Sequence, residues 1–197
     1  MELADVNNCL SRIRQIRMGG GRSTFMTYFH CDYICEVGVQ AGANFKKMTA
    51  HNPKLAVVVD CWKDDSVISR NTSHYSQKDL DLQYEILKKE MADKPSVKIC
   101  RGYSFEVVNQ FPDNYFDLVY MDADHTYPGI SRDLADWYPK VKSGRFLCGH
   151  DYRNKPQMVG PVQIQFEVQK ALNEFIAKNN LSTLFFLPPN GWGLIKP

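Results

Sequence analysis

Apolar residues along the chain follow two alternating spacings, and the alternation predicts a sheet covered by helices. Short, nearly continuous apolar runs are typical of strands buried on both faces of a parallel sheet. Apolar residues three and four apart are typical of helices that pack on such a sheet. Five strands are predicted, at residues 33–39, 55–59, 97–100, 116–121 and 146–148. Since helical spacing follows each run, the pattern indicates five successive strand–helix units.

The helical spacing also predicts where individual helices begin and end. The N-terminal helix is predicted over residues 3–13, and the glycines at 19–21 are expected to end it. Ser104 suits the N-cap of a helix that reaches residue 111, and Pro128 suits the first turn of the next helix. The longest amphipathic helix is predicted over residues 164–176.

The C-terminal residues have the pattern of a hairpin. Two apolar runs, at residues 184–187 and 192–195, are separated by the turn sequence Pro-Pro-Asn-Gly. Strands joined by a tight turn must pair antiparallel. The sequence therefore predicts an α/β fold, with a doubly wound, mostly parallel seven-stranded sheet and a reversed C-terminal hairpin strand. Residues 1–32 are expected to form an N-terminal helical extension of a domain that spans residues 33–197.

Composition and charge narrow the class of protein. The 197 residues include 24 Lys and Arg against 22 Asp and Glu, which gives a formal net charge of +2. Such a balance gives no electrostatic reason to expect a nucleic acid or an anionic membrane as partner. No apolar run is long enough for a membrane span, and no signal peptide is visible at the N-terminus. We expect a soluble, cytoplasmic protein that acts on a small molecule.

The six cysteines agree with a reducing compartment, because they form no C-x-x-C pair. Four of them lie in or beside strand-like apolar runs: Cys35, Cys61, Cys100 and Cys148. Buried, reduced thiols are therefore expected rather than disulfides or a zinc site.

The ends of the first two predicted strands carry the first candidate ligand site. Ligands of doubly wound sheets bind beyond the carboxyl ends of the strands. Gly38 and Gly42 follow the first strand, where glycine lets the backbone approach a ligand closely. Asp60 follows the second strand, 22 residues after Gly38, and its spacing suits an acceptor for both ribose hydroxyls of an adenosine. A tight turn and a solvated carboxylate would explain each feature singly, but together they favour a nucleoside site.

The third predicted strand is followed by Gly102, Tyr103 and Ser104. An adenine could lie against this backbone and the tyrosine ring. Alternatively, Ser104 could only cap the next helix while Tyr103 packs beside it. Both interpretations are open at this point.

The densest group of ionisable residues follows the fourth and fifth strands. The fourth strand leads into Asp122-Ala123-Asp124-His125, and the fifth leads into Gly149-His150-Asp151. Because the two strands are expected to be neighbours, their carboxylates and imidazoles should lie close together. Three such ligands from two loops could hold a divalent cation and leave coordination positions open.

Taken together, these motifs resemble the class I S-adenosylmethionine-dependent methyltransferases, in particular a small bacterial-type family with D-A-D-H-x-Y and G-H-D-Y motifs. The resemblance extends over residues 33–196 and includes the reversed terminal hairpin. It implies that Glu36 and Gly38 bind the methionine end of the cofactor. It further implies that Asp60 binds the ribose and that residues 102–104 bind the adenine.

The last two motifs also resemble metal-dependent O-methyltransferases that act on catechols, caffeoyl-CoA and macrolide sugars. This resemblance implies that Asp122, His150 and Asp151 bind a divalent cation, Mg²⁺ or Mn²⁺, with Asp122 also beside the cofactor. Those relatives have a carboxylate where this chain has His150, and imidazole suits manganese, iron or zinc better than magnesium. His150 is therefore also open to the role of a second base or of a structural hydrogen-bonding partner.

The same resemblance implies that His125 is the catalytic base, because related enzymes have a lysine or histidine there. A histidine with an ordinary pKa of about 6.5 is largely neutral at cytosolic pH and can accept a proton. The alternative is that His125 only holds its loop through hydrogen bonds.

Three other kinds of protein share parts of the pattern. A glycine turn followed by an acid also describes NAD(P)-binding oxidoreductases, and Tyr84 and Lys88 have the Y-x-x-x-K spacing of short-chain dehydrogenases. That pair lies before the third strand, however, whereas the dehydrogenase family has it later. A nucleic-acid methyltransferase is disfavoured, because the N-P-P-Y loop of the base-amine enzymes is missing. A non-catalytic binder of S-adenosylmethionine stays open.

The expected reaction is methyl transfer to the oxygen of a small hydroxylated molecule, such as a sugar or a phenol. Residues 63–76 and 152–160 border the predicted cleft and are expected to shape the acceptor pocket. A homo-oligomer is also open, since the N-terminal helix could either cover the cofactor or pair with another subunit.

Overall fold

The computed structural model describes residues 2–15, 21–64, 75–159, 162–187 and 190–197. The elements, in chain order, are α1 (Leu3–Gln15), α2 (Gly21–Tyr28), β1 (Tyr33–Val37), α3 (Ala43–Met48), β2 (Leu55–Asp60), α4 (Gln77–Glu90), β3 (Val97–Arg101), α5 (Ser104–Val107), β4 (Phe116–Met121), α6 (Tyr127–Trp137), β5 (Val141–Gly149), β6 (Lys155–Val159), β7 (Val162–Phe166), α7 (Val168–Lys178), β8 (Phe185–Leu187) and β9 (Gly191–Ile195). Of the three glycines expected to end the first helix, Gly19 and Gly20 lie outside the described residues. Gly21 is the first residue of α2.

Seven strands form one sheet in the order β3-β2-β1-β4-β5-β9-β8. Strands β1 to β5 are parallel, whereas β9 runs antiparallel to both β5 and β8. The order of the strands reverses between β1 and β4, because β2 and β3 extend the sheet on one side and β5 on the other. The predicted fold class is therefore confirmed, including the reversed C-terminal strand.

Both faces of the sheet are covered, which explains why its strands are nearly continuous apolar runs. All six residues of β4 are buried. On one face, side chains of β1 and β2 pack with Phe25 of α2, Phe45 of α3 and Leu87 of α4. On the other face they pack with Leu134 of α6 and Leu172 of α7. These helices fix the strands, and thereby the loops at their carboxyl ends.

Helices α1 and α2 contribute to the same core as the sheet. Val6, Leu10 and Phe25 are buried in one cluster with Ile34 of β1. The Arg145 guanidinium of β5 also donates a hydrogen bond of 2.7 Å to the carbonyl oxygen of Phe29, just after α2. The division of the chain at residue 33 stays a prediction.

The second half of the chain departs from the sequence prediction in one segment. Strands β6 and β7 form a separate antiparallel hairpin that the sequence analysis missed. Helix α7 therefore begins at Val168, and the helix predicted over residues 164–176 is wrong at its start. Val162, Ile164 and Phe166 alternate with glutamines, which is a strand spacing, but Ile164 and Val168 are also four apart. Helix α4, with 14 residues, is the longest helix in the described part of the chain.

The described cysteines are all free thiols, and five of the six are buried. Burial raises the pKa of Cys31 to about 12 and raises the pKa of Cys35 well above its ordinary range. Of the four thiols expected to be buried, Cys35, Cys100 and Cys148 are buried and Cys61 is partly exposed. Within the described residues, the helices are too short or too polar to cross a bilayer.

Candidate active site

A cavity of about 390 Å³ lies at the carboxyl ends of β1 to β4, where the strand order reverses. Such a switch point is where doubly wound sheets bind their ligands. The predicted cofactor residues that line it are Gly38, Asp60, Gly102, Tyr103, Ser104 and Asp122. Glu36 and Gly42 are not among the residues that line it.

The turn after β1 depends on Gly38. Its φ of +85° lies in the left-handed region, and its N–H donates a 2.8 Å hydrogen bond to Val59 of β2. A Cβ atom at this position would lie only 2.4 Å from the carbonyl oxygen of Asp122 and 2.5 Å from the backbone of Ala123. Glycine therefore lets the first turn approach the end of β4, which brings the two loops together.

Two other residues of the predicted glycine motif, Glu36 and Gly42, contact or begin helix α3. Glu36 is only 1% exposed, and its Oε1 accepts a 2.7 Å hydrogen bond from Asn44 of α3. Gly42 is the N-cap of α3 with φ +76°, and a Cβ there would lie 2.5 Å from Leu87 of α4. Both residues thus fix α3 against its surroundings.

The Asp60 carboxylate accepts hydrogen bonds from the backbone of the turns that surround it. Its Oδ2 accepts hydrogen bonds from the N–H groups of Val39 at 2.8 Å and Gln40 at 2.9 Å. Its Oδ1 accepts one from the N–H of Trp62 at 2.8 Å. Gln40 and Trp62 both have positive φ, of 49° and 41°, and the Trp62 indole donates to the Gln40 carbonyl. The carboxylate therefore organises two strained turns, besides the ribose contact predicted for it.

The end of β3 presents flat side chains to the cavity. The rings of Tyr103 and Phe105 are nearly parallel, with centroids 5.2 Å apart and planes at 6°. Lys63 lies beside them and donates a 3.1 Å hydrogen bond to the Tyr103 hydroxyl. The Arg132 guanidinium of α6 lies 3.8 Å from the centroid of the Phe105 ring. This arrangement suits the packing of a planar group.

Ser104 does not cap its helix, so that prediction is wrong. The N-cap position belongs to Tyr103, without a side-chain cap, and Ser104 is the first residue of α5. The Ser104 hydroxyl instead donates a 2.5 Å hydrogen bond to Oδ1 of Asp133 in α6. The serine hydroxyl therefore joins α5 to α6 and does not cap α5.

Asp133 lines the cavity and was missed by the sequence analysis. It is 4% exposed, and burial raises its pKa to about 7, helped by the charges of Asp124 and Asp136 and opposed by Ser104 and Arg132. A signal was present in the sequence. Asp133 shares the apolar face of α6 with Ile130, Leu134 and Trp137, at the spacing of a buried residue.

The predicted ionisable cluster does come together beyond β4 and β5. His125 Nε2 lies 3.3 Å from Asp122 Oδ1 and 3.4 Å from Asp151 Oδ2. His150 Nδ1 lies 3.1 Å from Asp151 Oδ2 and 3.8 Å from Asp122 Oδ1. Each imidazole therefore lies within reach of both carboxylates.

Asp151 is the centre of this cluster. Its φ of 52° is strained for a residue with a side chain, and Arg153 pairs with its Oδ1 at 2.5 Å. Burial raises the pKa of Asp151, but the hydrogen bond from His150 and the charges of His150, His125 and Arg153 outweigh it, so the pKa lies below its ordinary value. The carboxylate is thus held ionised beside two imidazoles.

Donor atoms of Asp122, His125 and Asp151 lie within 4.8 Å of one another, a separation that suits one metal ion. This set shares both carboxylates with the predicted set but contains His125 where the prediction has His150. Mixed carboxylate and imidazole donors suit first-row transition ions better than Mg²⁺. The residues present therefore fit a divalent cation.

The missed β6–β7 hairpin borders this cluster. The Phe166 ring at the end of β7 has its centroid 5.0 Å from that of His125. The next residue, Glu167, donates its N–H to the His125 carbonyl oxygen at 2.8 Å and accepts from the N–H of Tyr127 at 3.0 Å. The hairpin thus holds the His125 loop in place. Residues 65–74 and 160, which belong to the segments expected to shape the acceptor pocket, lie outside the described residues.

Solved structures of known enzymes share this fold. An O-methyltransferase from Bacillus cereus in complex with SAH has a TM-score of 0.61 at 13% identity, covering 96% of this chain and 91% of that one. The O-methyltransferase NovP has a TM-score of 0.59 at 17% identity, covering 94% and 79%. Spermidine synthase from Thermotoga maritima has a TM-score of 0.53 at 13% identity, covering 91% and 56%. At such identities the likeness establishes the fold.

The sequence matches none of the curated proteins with which it was compared. A family model described as a methyltransferase domain, however, matches residues 21–152, about two-thirds of the chain. The matched residues include the glycine turn, Asp60 and both ionisable motifs. The chain therefore belongs to the methyltransferase-domain family, and it is an S-adenosylmethionine-dependent methyltransferase.

Proposed function

We propose that the enzyme transfers the methyl group of S-adenosylmethionine to a hydroxyl oxygen of a small molecule. The observation that carries this proposal is the convergence of His125, His150 and Asp151 with Asp122, which lines the cavity. Methyl transfer to a hydroxyl requires alignment of oxygen, methyl carbon and sulfur, together with removal of the hydroxyl proton. A cluster of carboxylates and imidazoles beside the cavity can remove such a proton.

The cofactor is proposed to lie along the cavity from β3 to β4. Its adenine would lie at Gly102, Tyr103 and Ser104, and its ribose near Asp60. Its methionine end would lie along the turn supported by Glu36, Gly38 and Gly42, with the sulfonium directed toward Asp122. The support for this placement is that the cavity is continuous along these strand ends and that Asp122 lines both the cavity and the ionisable cluster.

His125 is proposed as the catalytic base. Its imidazole faces both carboxylates, which would stabilise the imidazolium that forms when it takes the acceptor proton. Its ring is fixed by Phe166 and its backbone by Glu167, so the base is held by the hairpin on the acceptor side. A positioned base of this kind contributes about 10²–10⁴ to the rate.

A divalent cation is proposed at Asp122, His150 and Asp151, which leaves His125 for the role of the base. Bound there, an ion such as Mn²⁺ would lower the pKa of an acceptor hydroxyl. Asp151 is prepared for this role because its charge is retained and its orientation is fixed by Arg153. The acceptor is proposed to be a small molecule of the cytoplasm rather than a nucleic acid, in line with the balanced net charge.

The proposal is tested first with purified protein in calorimetric titrations and then with acceptors. S-adenosylhomocysteine should bind, whereas NAD should not. A panel of phenols, sugars and matched amines should then give S-adenosylhomocysteine release with hydroxylated compounds. Tight NAD binding without a response to the sulfur nucleosides, or turnover with amines alone, would contradict the proposed function.

The cation is tested in the same titrations with Mn²⁺ as the probe. Asp151→Asn should weaken Mn²⁺ binding by about 10–100-fold, because the amide oxygen carries no charge. Asp124→Asn is the matched control, because it removes a charge from the loop after β4 at a residue outside the proposed metal set. The Asp124 carboxylate accepts a hydrogen bond from the N–H of Thr126, and this variant should bind Mn²⁺ nearly as the parent does. Equal Mn²⁺ affinity in Asp151→Asn and Asp124→Asn would remove the cation from the proposal.

A further inference from the structure

One wall of the cavity is formed by the end of β2 and the strained turn after it. This wall consists of four successive residues, Asp60, Cys61, Trp62 and Lys63. Trp62 is fully buried and has a φ of 41°, which is unfavourable for a bulky side chain. A residue persists in such a conformation only where the surrounding contacts fix it. The contacts of Trp62 therefore help to determine where the neighbouring Asp60 carboxylate lies.

Two side chains outside the cavity lining donate hydrogen bonds to the Trp62 carbonyl oxygen. Nη2 of Arg101, the last residue of β3, lies 3.0 Å from it. Nε2 of Gln77, the first residue of α4, also lies 3.0 Å from it, so both lone pairs of the carbonyl are used. The Arg101 guanidinium also lies 4.8 Å from the centroid of the Tyr84 ring, which packs against the Trp62 indole. Strand β3 and helix α4 thus hold the strained turn from outside the cavity.

Asp81 of α4 orients both donors. Its Oδ1 accepts from Nη2 of Arg101 at 2.5 Å and from Nε2 of Gln77 at 3.0 Å. The hydrogen bond from Arg101 lowers the pKa of Asp81, so the carboxylate is ionised at neutral pH. An exposed ion pair contributes little by itself, because water screens the two charges. Here, however, the pair directs the guanidinium at a third group, the carbonyl of the strained Trp62.

We propose that Arg101 is a positioning residue, which holds the Trp62 carbonyl and thereby keeps the Asp60 carboxylate directed at the ribose of the cofactor. This inference rests on the ribose contact proposed for Asp60. Trp62 links the two residues, because its N–H donates to Asp60 Oδ1 at 2.8 Å and its indole donates to the Gln40 carbonyl at 2.9 Å. Without Arg101, the turn would relax toward an unstrained φ, and Asp60 would lose the N–H that fixes its Oδ1.

The role of Arg101 is measured by titrating the enzyme with S-adenosylhomocysteine and with its 2′-deoxyribose analogue, which lacks one hydroxyl assigned to Asp60. The parent enzyme should bind the ribose compound about 10-fold more tightly, because the analogue leaves the carboxylate without that donor. Arg101→Met keeps an unbranched side chain beside Tyr84 but removes the donors, so the affinity for S-adenosylhomocysteine should fall about 5–10-fold. The affinity for the analogue should change less than about twofold, so the ratio of the two affinities should fall to about fourfold or below.

Helix α4 offers a matched pair of control variants. Asp81 pairs with Arg101 at 2.5 Å, with side chains 50% and 37% exposed. Glu90 pairs with Lys46 of α3 at 2.5 Å, with side chains 44% and 37% exposed. Asp81→Ala should lower the affinity for S-adenosylhomocysteine about threefold and reduce the ratio, whereas Glu90→Ala should change neither by more than about 1.5-fold.

A conservative variant tests whether the hydrogen bonds are what matters. In Arg101→Lys a single ammonium group carries three donors, and it can serve both the Trp62 carbonyl and Asp81. This variant should therefore recover most of the affinity and of the ratio that Arg101→Met loses. If Arg101→Met fails to fold, as judged by circular dichroism, the ratios of Asp81→Ala and Glu90→Ala decide the question.

The outcomes are distinguishable from failure of the proposed function. Parent-like affinities in Arg101→Met would overturn its positioning role while leaving methyl transfer intact. Equal weakening of both compounds in that variant, with the parent ratio retained, would overturn the role in favour of a general structural one. A parent enzyme that binds both compounds equally would overturn it by removing the ribose contact of Asp60. A parent enzyme that binds neither compound would contradict the proposed function itself.

Discussion

The two sides of the cleft are built from similar residues but are organised differently. On the side proposed to bind the cofactor, at the ends of β1 to β3, polar side chains are held by backbone or by neighbouring helices. Asp60 accepts three backbone N–H groups, and Glu36 accepts from Asn44. On the side proposed to bind the acceptor, beyond β4 and β5, the imidazoles of His125 and His150 face carboxylates instead.

Because of this difference, substitutions on the two sides should have different effects on stability and on turnover. Groups that bind backbone determine the shape of the turns, so on the cofactor side a change to the site is also a change to the fold. Groups that face one another can exchange protons and bind ligands without altering the chain path. We therefore expect substitutions on the acceptor side to impair turnover, and those on the cofactor side to impair stability and cofactor affinity together.

The largest effect is expected on the acceptor side. His125→Ala should lower turnover by about 10²–10⁴ with a hydroxylated acceptor, because the proposed base is lost. Its affinity for S-adenosylhomocysteine and its melting temperature should stay near those of the parent. Steady-state kinetics, titration and thermal unfolding test this together. Near-parent turnover from pH 6 to pH 9 would exclude His125 as the base, whereas joint loss of stability and affinity would make it a loop-holding residue.

A substitution of Gly38, on the side proposed to bind the cofactor, should instead reduce stability. Gly38→Ala should lower the free energy of unfolding by about 2–5 kcal/mol, from left-handed strain and from a Cβ 2.4 Å from the Asp122 carbonyl. Gly144→Ala is the matched control, since its φ is +71° with no atom within 4 Å of the added Cβ. It should cost only the strain, about 1–2 kcal/mol. Denaturant unfolding measures both, and equal losses would mean that the close approach is unimportant.

The smallest effect is expected for a substitution of Asp60, on the side proposed to bind the cofactor. In Asp60→Asn only one side-chain oxygen remains to accept from Val39, Gln40 and Trp62, so at least one N–H is left unpaired. We expect a loss of about 1–3 kcal/mol in the free energy of unfolding, together with weaker binding of S-adenosylhomocysteine.

The exposed Asp113, which pairs with Lys140, is the control for Asp60. Asp113→Asn should change the free energy of unfolding by no more than about 0.5 kcal/mol. A stable Asp60→Asn variant with weakened binding would assign Asp60 to the ribose alone. A destabilised variant with unchanged binding would assign it to the turns alone.

Much of the fold could be predicted because the strands are buried on both faces. The six residues of β4 are all buried, so their apolar run is visible without knowledge of any partner. The β6–β7 hairpin was missed for the converse reason. It lies apart from the main sheet, and the spacing from Ile164 to Val168 fits a helix as well as the end of a strand.

The candidate site was also predictable in part: the ionisable cluster was predicted, whereas Asp133 was missed. Asp122, His125, His150 and Asp151 follow neighbouring strands, and parallel strands bring their carboxyl ends to one edge. Asp133 was missed because an acid on a helix is usually solvent-exposed, and only its place among the apolar residues of α6 indicated burial.

Apart from α2 and the β6–β7 hairpin, the sequence by itself determined the succession of strands and helices along the chain, the reversed terminal hairpin and the positions of ionisable residues at strand ends. These are properties of spacing, which the chain carries locally. Only the tertiary structure decided what each group faces: backbone N–H groups at Asp60, the cavity wall at Asp133, two carboxylates and a phenylalanine ring at His125. Those partners lie up to about 40 residues away along the chain, so local spacing does not identify them. Hydrogen bonds act only over short distances, and folding is what brings the partners within that range.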